Sequence, residues 1–246
     1  VVIKLINADF RKVLGELGPV RMVFADPPDG LGLAYNGFKD VLPADEYRDL
    51  LRDVVWAAEC CDVLWLSFNS RHTLLVGELV SDFLKNHSNW EFKPCVQTFT
   101  FFQSNQYDLG DAYRPLYRLV RDGTQLYPDA IRVASWRQLN GDKRADPRGC
   151  VPGSVFDFPR VTGNSKQRRT FSPTQLHEGL YERCIKLSCK PGDTVVDLFG
   201  GSGTLGRTVG RCGVDAVMIE VSREVCEAIA LDQGLDHIGS NCWGLR

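Results

Sequence analysis

The feature that most constrains this chain is the stretch Val195-Val196-Asp197-Leu198-Phe199-Gly200-Gly201-Ser202-Gly203-Thr204. An apolar run carrying a carboxylate near its end stops at a cluster of glycines, and helix-forming sequence follows. A buried parallel strand entering a tight turn and the first turn of a helix has this pattern. Glycine there takes positive φ and lets the backbone approach a ligand. Sixteen residues past Thr204, the apolar run Ala216-Val217-Met218-Ile219 ends in Glu220. An acid at the tip of the second strand is placed to hold the hydroxyls of a ribose. Asp197, Phe199, Gly201, Gly203, Thr204 and Glu220 therefore read as a nucleoside-cofactor site. Gly201-Ser202-Gly203-Thr204-Leu205-Gly206 also fits the dinucleotide pattern G-x-G-x-x-G, so this stretch alone leaves the cofactor open.

A length of 246 residues suits one large α/β domain, or a domain carrying one insertion. No apolar stretch approaches the length of a bilayer span, and the first residues do not look like a secretory signal. The nine cysteines are scattered without a C-x-x-C pair, which argues against zinc and against a thioredoxin-like motif. This is reduced, intracellular usage, and a cytoplasmic location with no membrane partner is expected. His72, His87, His177 and His237 show no ligand spacing, so no metal is expected. The net charge is only -2, but Asp111 to Thr170 holds twelve Lys/Arg against six Asp. A basic segment on an otherwise acidic body suggests a face for a polyanion.

Along the chain, Val1–Ile6 reads as a strand, and Phe10, Val13, Leu14 and Leu17 recur at helical spacing. Val20–Ala25 is a second strand, and the helix Ala44–Cys61, the strand Asp62–Phe68 and the helix His72–His87 follow. Alternating strands and helices imply βαβ units and a parallel sheet, so these residues form one half of a doubly wound sheet. Val96 to Phe102 is strand-like, but the sequence to about Arg160 is rich in Gly, Pro, Asp and Arg interleaved with tyrosines. It reads as an insertion of a few strands and long loops. A helix is expected from Ser172-Pro173, with Leu176, Leu180, Ile185 and Leu187 on its buried face. Ser222 caps a last amphipathic helix, and the tail from His237 carries no clear pattern.

Asp26-Pro27-Pro28 at the carboxyl end of a strand is a second chemical site. Asp26 can accept a hydrogen bond from an amino group. The Pro27 carbonyl can do the same, because the adjoining proline interrupts the ladder. Two acceptors aimed at one amino group stabilise the positive charge that develops as its nitrogen attacks an electrophile.

With both sites in place, the chain resembles the β group of amino-methylating DNA methyltransferases, which use S-adenosylmethionine on adenine N6 or cytosine N4. The matching motifs are Asp26-Pro27-Pro28 and Asp197-Leu198-Phe199-Gly200-Gly201-Ser202-Gly203-Thr204, catalytic half first and basic segment between. Ser172-Pro173-Thr174-Gln175 resembles the family's H-P-T-Q element, which implies that Ser172 and Thr174 line the methionine end of the cofactor. Asn7-Ala8-Asp9 resembles its G-D element, which implies Asp9 near the adenine ring. The resemblance implies a doubly wound, Rossmann-like α/β sheet with a catalytic half at 1–90, an inserted target-recognition region at 91–163 and a cofactor half at 164–246. It further implies an S-adenosylmethionine-dependent enzyme, as in bacterial and phage members, that modifies a flipped base of double-stranded DNA at adenine N6 or cytosine N4, with adenine favoured.

Ser172 stands where the family usually has His, and a second departure matters more. Asp29 stands where an aromatic usually follows D-P-P and stacks on the base. Tyr35 or Phe38 is expected to supply the stacking, the alternatives being a different substrate edge read by Asp29 or a weak or inactive relative. Asp26, Pro27, Pro28 and Asp29 form the expected catalytic group. Arg114, Arg144, Arg148, Arg168 and Arg169 are the expected DNA contacts. RNA or protein-amide methylation on the same fold is the nearest rival. A nicotinamide-dependent dehydrogenase is opposed by the short chain left after the glycine loop. Monomer and homodimer both suit the length.

Overall fold

Apolar runs with continuous burial become the parallel strands of one sheet, and in the computed structural model residues 1–32, 34–35, 38–99 and 106–245 are described, with backbone only at 34–35 and 38–39. β1 (Ile3–Asn7) leads to the single turn α1 (Phe10–Val13), and β2 (Val20–Ala25) follows. β3 (Ala34–Tyr35) and β4 (Phe38–Lys39) make a separate ribbon ahead of α2 (Ala44–Trp56). Asp45 and Glu46 sit at the positive end of α2, and Tyr47, Leu50, Leu51, Val54 and Val55 form its buried stripe. Next come β5 (Cys61–Ser67), α3 (Thr73–Asn86), β6 (Trp90–Thr98), β7 (Tyr113–Arg121), α4 (Trp136–Leu139) and β8 (Val155–Asp157). The chain continues through α5 (Glu178–Ser188), β9 (Thr194–Asp197), α6 (Thr204–Cys212), β10 (Asp215–Glu220) and α7 (Arg223–Gln233). A hairpin of β11 (Asp236–Gly239) and β12 (Cys242–Gly244) completes it.

The sheet order is β11-β12-β1-β10-β9-β2-β5-β7-β6-β8. β1, β10, β9, β2 and β5 pair in parallel, while β7 runs antiparallel to both β5 and β6. From β9 the chain crosses through α6 to β10 on one side, and from β2 through α2 to β5 on the other. The two halves therefore diverge at the β9–β2 boundary, and a crevice opens there at the carboxyl ends of the strands. Alternate residues face alternate layers. Met22, Phe24 and Val195 pack under α5, α6 and α7, and Val23, Ala25 and Val196 under α1, α2 and α3.

The 91–163 segment contributes β6, β7 and β8 to the main sheet, and its longest described stretch outside those strands is 122–154. Two sequence expectations change. β1 belongs beside β10 and β12 rather than in the catalytic half, and the featureless tail is the β11–β12 hairpin that covers its other edge. The helix expected from Ser172 begins at Glu178, with His177 as its cap. Ser172 Oγ donates to the Thr174 carbonyl at 2.7 Å, and Gln175 bonds the backbone of Arg169 and Gln167. Local side-chain bonds of this kind compete with helix formation. Of the strand expected at 96–102, residues 100–102 lie outside the described residues. Among the described residues no helix is long and apolar enough to cross a membrane.

Two measurements test these packing arguments. Gly149 has φ +82°, and a Cβ there would lie 2.2 Å from the Val133 carbonyl oxygen, across the bridge between Val133 and Cys150. G149A should speed proteolytic cleavage within 122–154 several-fold while leaving the melting of the sheet core little changed.

Asp197 is 1% exposed and accepts from the Tyr181 hydroxyl at 2.9 Å and the Phe199 amide at 3.0 Å. Burial raises its pKa from 3.8 to about 8, against those two hydrogen bonds. A carboxyl raised on folding favours the folded state most below its unfolded value, and that stabilisation fades as pH rises from about 4 to about 8. Asn keeps the shape and the bond from the Phe199 amide to Oδ1, and its NH2 group can donate to the Tyr181 oxygen in place of the bond that Asp197 accepts, without the charge. The melting temperature of D197N minus that of wild type should therefore increase from pH 5 to pH 8.5.

Candidate active site

β2 and β9 pair through Met22–Val195, Val23–Val196 and Phe24–Asp197, and the Leu198 amide donates to the Phe24 carbonyl at 3.0 Å. Asp26 and Phe199, each two residues past the last pair, thus leave the sheet side by side. They wall a cavity of about 720 Å³. Asp26 to Asp29 form one side of it and Leu198 to Ser202, Thr204 and Glu220 the other, with Ser172 to Leu176 opposite.

The cofactor side is built from backbone. The Gly200 amide donates to the Ile219 carbonyl at 2.7 Å, and a Cβ on Gly200 would come within 3.3 Å of that oxygen and of Glu220 Cβ. Glu220 accepts from the Gly201 amide at 3.0 Å through one carboxylate oxygen and from the Ser222 amide at 2.8 Å through the other. Burial raises the Glu220 carboxyl, and these amides pull it back down. Gly203, at φ +71°, opens α6, and the Ser202 and Thr204 hydroxyls bond each other at 2.8 Å. Phe199 meets Phe10 edge to face at 5.4 Å, and both line the cavity. A side-chain-free turn, a carboxylate fixed at the tip of β10 and an apolar wall fit a nucleoside with a charged tail.

Not every expected cofactor residue reaches the cavity. Asp197 lies beneath it and holds the loop through Phe199, while Gly203 shapes the turn without lining the space. Asp9 is at the wall, but it caps α1 and pairs with Arg11, which lowers its pKa. Ser172 and Thr174 line the cavity from the loop ahead of α5.

On the catalytic side, Asp26 Oδ1 lies 2.6 Å from Arg114 Nη2. Arg114 Nη1 donates to Asp29 Oδ2 at 3.2 Å, and Nη2 lies 2.9 Å from Asp29 Oδ1. Arg114 Nε donates to Ser67 Oγ at 2.7 Å. Burial raises Asp26, and Asp29 adds to that rise, while Arg114 opposes it. Burial would depress Arg114, but Asp26 and Asp29 outweigh it and hold the guanidinium charged. The exit loop itself is clamped. The Tyr47 hydroxyl donates to the Pro28 carbonyl at 2.7 Å, and His72 Nε2 lies 2.9 Å from the Asp29 carbonyl.

Arg114, expected as a DNA contact, is a half-buried group in the catalytic wall. The antiparallel run of β7 beside β5 pairs Ser67 with Leu116, and so brings Arg114 to the carboxyl ends of the parallel strands. Ser67 and Tyr181 were missed because a Ser at a strand end and a Tyr on a helix face carry no motif. Arg144 and Arg148 are exposed on the 122–154 segment, each bonded to an aspartate two residues earlier. Arg169 pairs with Asp232 at 2.7 Å and Arg168 donates to the Ser172 carbonyl at 2.7 Å, so both tether the 164–177 loop. The side chains of Tyr35 and Phe38 lie outside the described residues. Phe99 and Tyr113 are aromatic groups that do line the cavity.

Known proteins resemble the chain over most of its length. A family profile described as DNA methylase, of the N6/N4 type, matches residues 20–231. DNA adenine methyltransferase YhdJ of Escherichia coli is 30% identical over 236 residues, covering 88% of this chain and 76% of that protein. Type II methyltransferase M.HpaI of Haemophilus parainfluenzae is 26% identical over 242 residues, covering 91% and 72%. Among solved structures, the cytosine-N4-specific PvuII DNA methyltransferase matches with a TM-score of 0.70 at 15% identity, over 98% of this chain and 89% of that one. The M1.HpyAVI complex with S-adenosylmethionine matches at 0.63 and 16% identity, over 93% and 98%. With the two motifs meeting in one crevice and a profile spanning both, the chain belongs to the N6/N4 DNA methylase family and is an S-adenosylmethionine-dependent DNA methyltransferase.

Proposed function

We propose that this chain methylates the exocyclic amino group of a base rotated out of double-stranded DNA, adenine N6 in preference to cytosine N4. The observation that carries this reading is the meeting of Asp26 and the glycine turn in one cavity. The 30% identical relative named for DNA adenine methylation favours adenine. An amino group in a duplex is paired and stacked, so reaching a buried carboxylate requires extrusion of the base.

S-adenosylmethionine supplies an electrophilic methyl group on a sulfonium. The residues that would hold it are Glu220, which would accept from the ribose hydroxyls, the turn at 200–202, which would face the nucleoside, and Ser172 and Thr174, which would bound the methionine end. Asp26 and the Pro27 carbonyl accept hydrogen bonds from the target amino group, which aligns its lone pair and stabilises the charge it gains. Asp26 and Asp29 flank Arg114, so carboxylate oxygens face the place where that cation develops.

Recognition of the duplex is assigned to the exposed 122–154 segment and its rim. Arg144 and Arg148 are 81% and 66% exposed at their side chains and can trade an aspartate partner for a phosphate. The solvent-exposed Trp136 and Leu139 of α4 lie on the same segment.

Asp26→Ala should lower methyl incorporation from labelled S-adenosylmethionine into unmethylated genomic DNA at least 100-fold while cofactor binding is kept. Nucleoside analysis of the wild-type product should show N6-methyladenine. An N4-methylcytosine peak would instead reverse the base assignment, and full activity in the variant would remove Asp26 from its role. Replacing Arg144 and Arg148 together with alanine should reduce the slope of log binding constant against log salt by about 2, measured by fluorescence anisotropy on duplex DNA. An unchanged slope would place the DNA elsewhere.

A further inference from the structure

The carboxylate that stands where a stacking aromatic is usual is tied to a second group. Asp29 flanks Arg114, Asp26 meets Arg114 Nη2 at 2.6 Å, and Ser67 takes Nε at 2.7 Å. The guanidinium is thus held on three sides in the cavity wall, with 14% of its side chain exposed. An arginine so fixed has already given up the rotamer freedom that binding would otherwise cost.

A guanidinium carries five N–H groups. Ser67, Asp29 and Asp26 take three, and the contact with Asp29 Oδ1 accounts for at most one more. Among the described residues at least one donor, on Nη1, is left for a ligand, on the guanidinium that also meets the Asp26 carboxylate in the cavity wall. An acceptor and a donor side by side complement the pairing edge of a base whose amino group adjoins an unprotonated ring nitrogen. Adenine (N1) and cytosine (N3) both present that edge. Guanine and thymine present N–H there and would oppose the guanidinium.

We propose that Arg114 is a base-reading residue: it donates a hydrogen bond to the ring nitrogen beside the target amino group while Asp26 accepts from that amino group. Asp29 is the positioning residue that holds Arg114 in register. The inference rests on the flipped-base reading above, and it gives the Asp29 departure a purpose, since the base is selected by its edge where stacking on residue 29 is not available.

The test uses a synthetic duplex carrying the sequence that wild-type protein methylates in genomic DNA, and the same duplex with 1-deazaadenine at the target (3-deazacytosine if the product is N4-methylcytosine). The analogue keeps the amino group and removes the ring acceptor. Wild-type kcat/KM should fall about 10- to 100-fold on the analogue, the loss of one charge-assisted hydrogen bond. Arg114→Lys should lose a similar factor on the natural duplex and less than about threefold more on the analogue. Equal wild-type turnover of both duplexes, or losses that simply multiply, would overturn the proposal. The wild-type comparison decides by itself if the variant does not fold. Bound cofactor with no methylation of any DNA by wild type would instead sink the flipped-base reading, and this inference with it.

Discussion

The parallel pairing of β2 with β9 is the constraint on which everything else in this molecule depends. Two runs separated by some 170 residues, Val20–Ala25 and Thr194–Asp197, lie in register, so that Phe24 faces Asp197 and the two exit loops start level. Both strands are buried on both faces, and that is why both runs read as nearly unbroken apolar sequence. A register slip would exchange the residues under α5 to α7 with those under α1 to α3. Burial of both layers forbids it.

Charge is arranged with the same economy. Two carboxylates and one guanidinium lie in the catalytic wall, and a carboxylate placed there alone would take up a proton. Arg114 opposes that tendency at Asp26 and is itself held charged by both acids. Pairing favours the charged form of a half-buried acceptor against the rise that burial causes, and a carboxylate acceptor is what an amino nucleophile requires. The loops that carry these groups are clamped from outside the site by Tyr47, His72 and Asp197.

Across the cavity, polar ties replace regular structure. The 164–177 loop has no helix of its own ahead of His177, and Arg169 links it to α7 through Asp232. Arg207 on α6 bonds both Asp232 and Glu178, so one network spans the loop, α5, α6 and α7. That network holds Ser172 and Thr174 against the cavity. It includes Arg169, one of the arginines expected as DNA contacts.

Much of this was legible in the residues because it is local. Strand–turn–helix punctuation marked the glycine turn, a carboxylate at a strand tip marked Glu220, and proline after a strand marked Asp26, since each obeys backbone rules that act within a few residues. The start of the helix expected at Ser172 and the place of the 91–163 strands in the sheet were not legible, for the opposite reason. Side chains from Gln167 to Gln175 satisfied that backbone as a loop, and β6 and β7 found partners in β5 and β8 that no local pattern names. The role of Arg114 was decided by tertiary structure alone. Its position depends on an antiparallel strand laid beside a parallel one, and its charge on two aspartates more than eighty residues away. Sequence by itself determined which chemical groups this protein carries and the elements that bear them. Only the sheet decided which of those groups meet, because strand pairing and burial act through space.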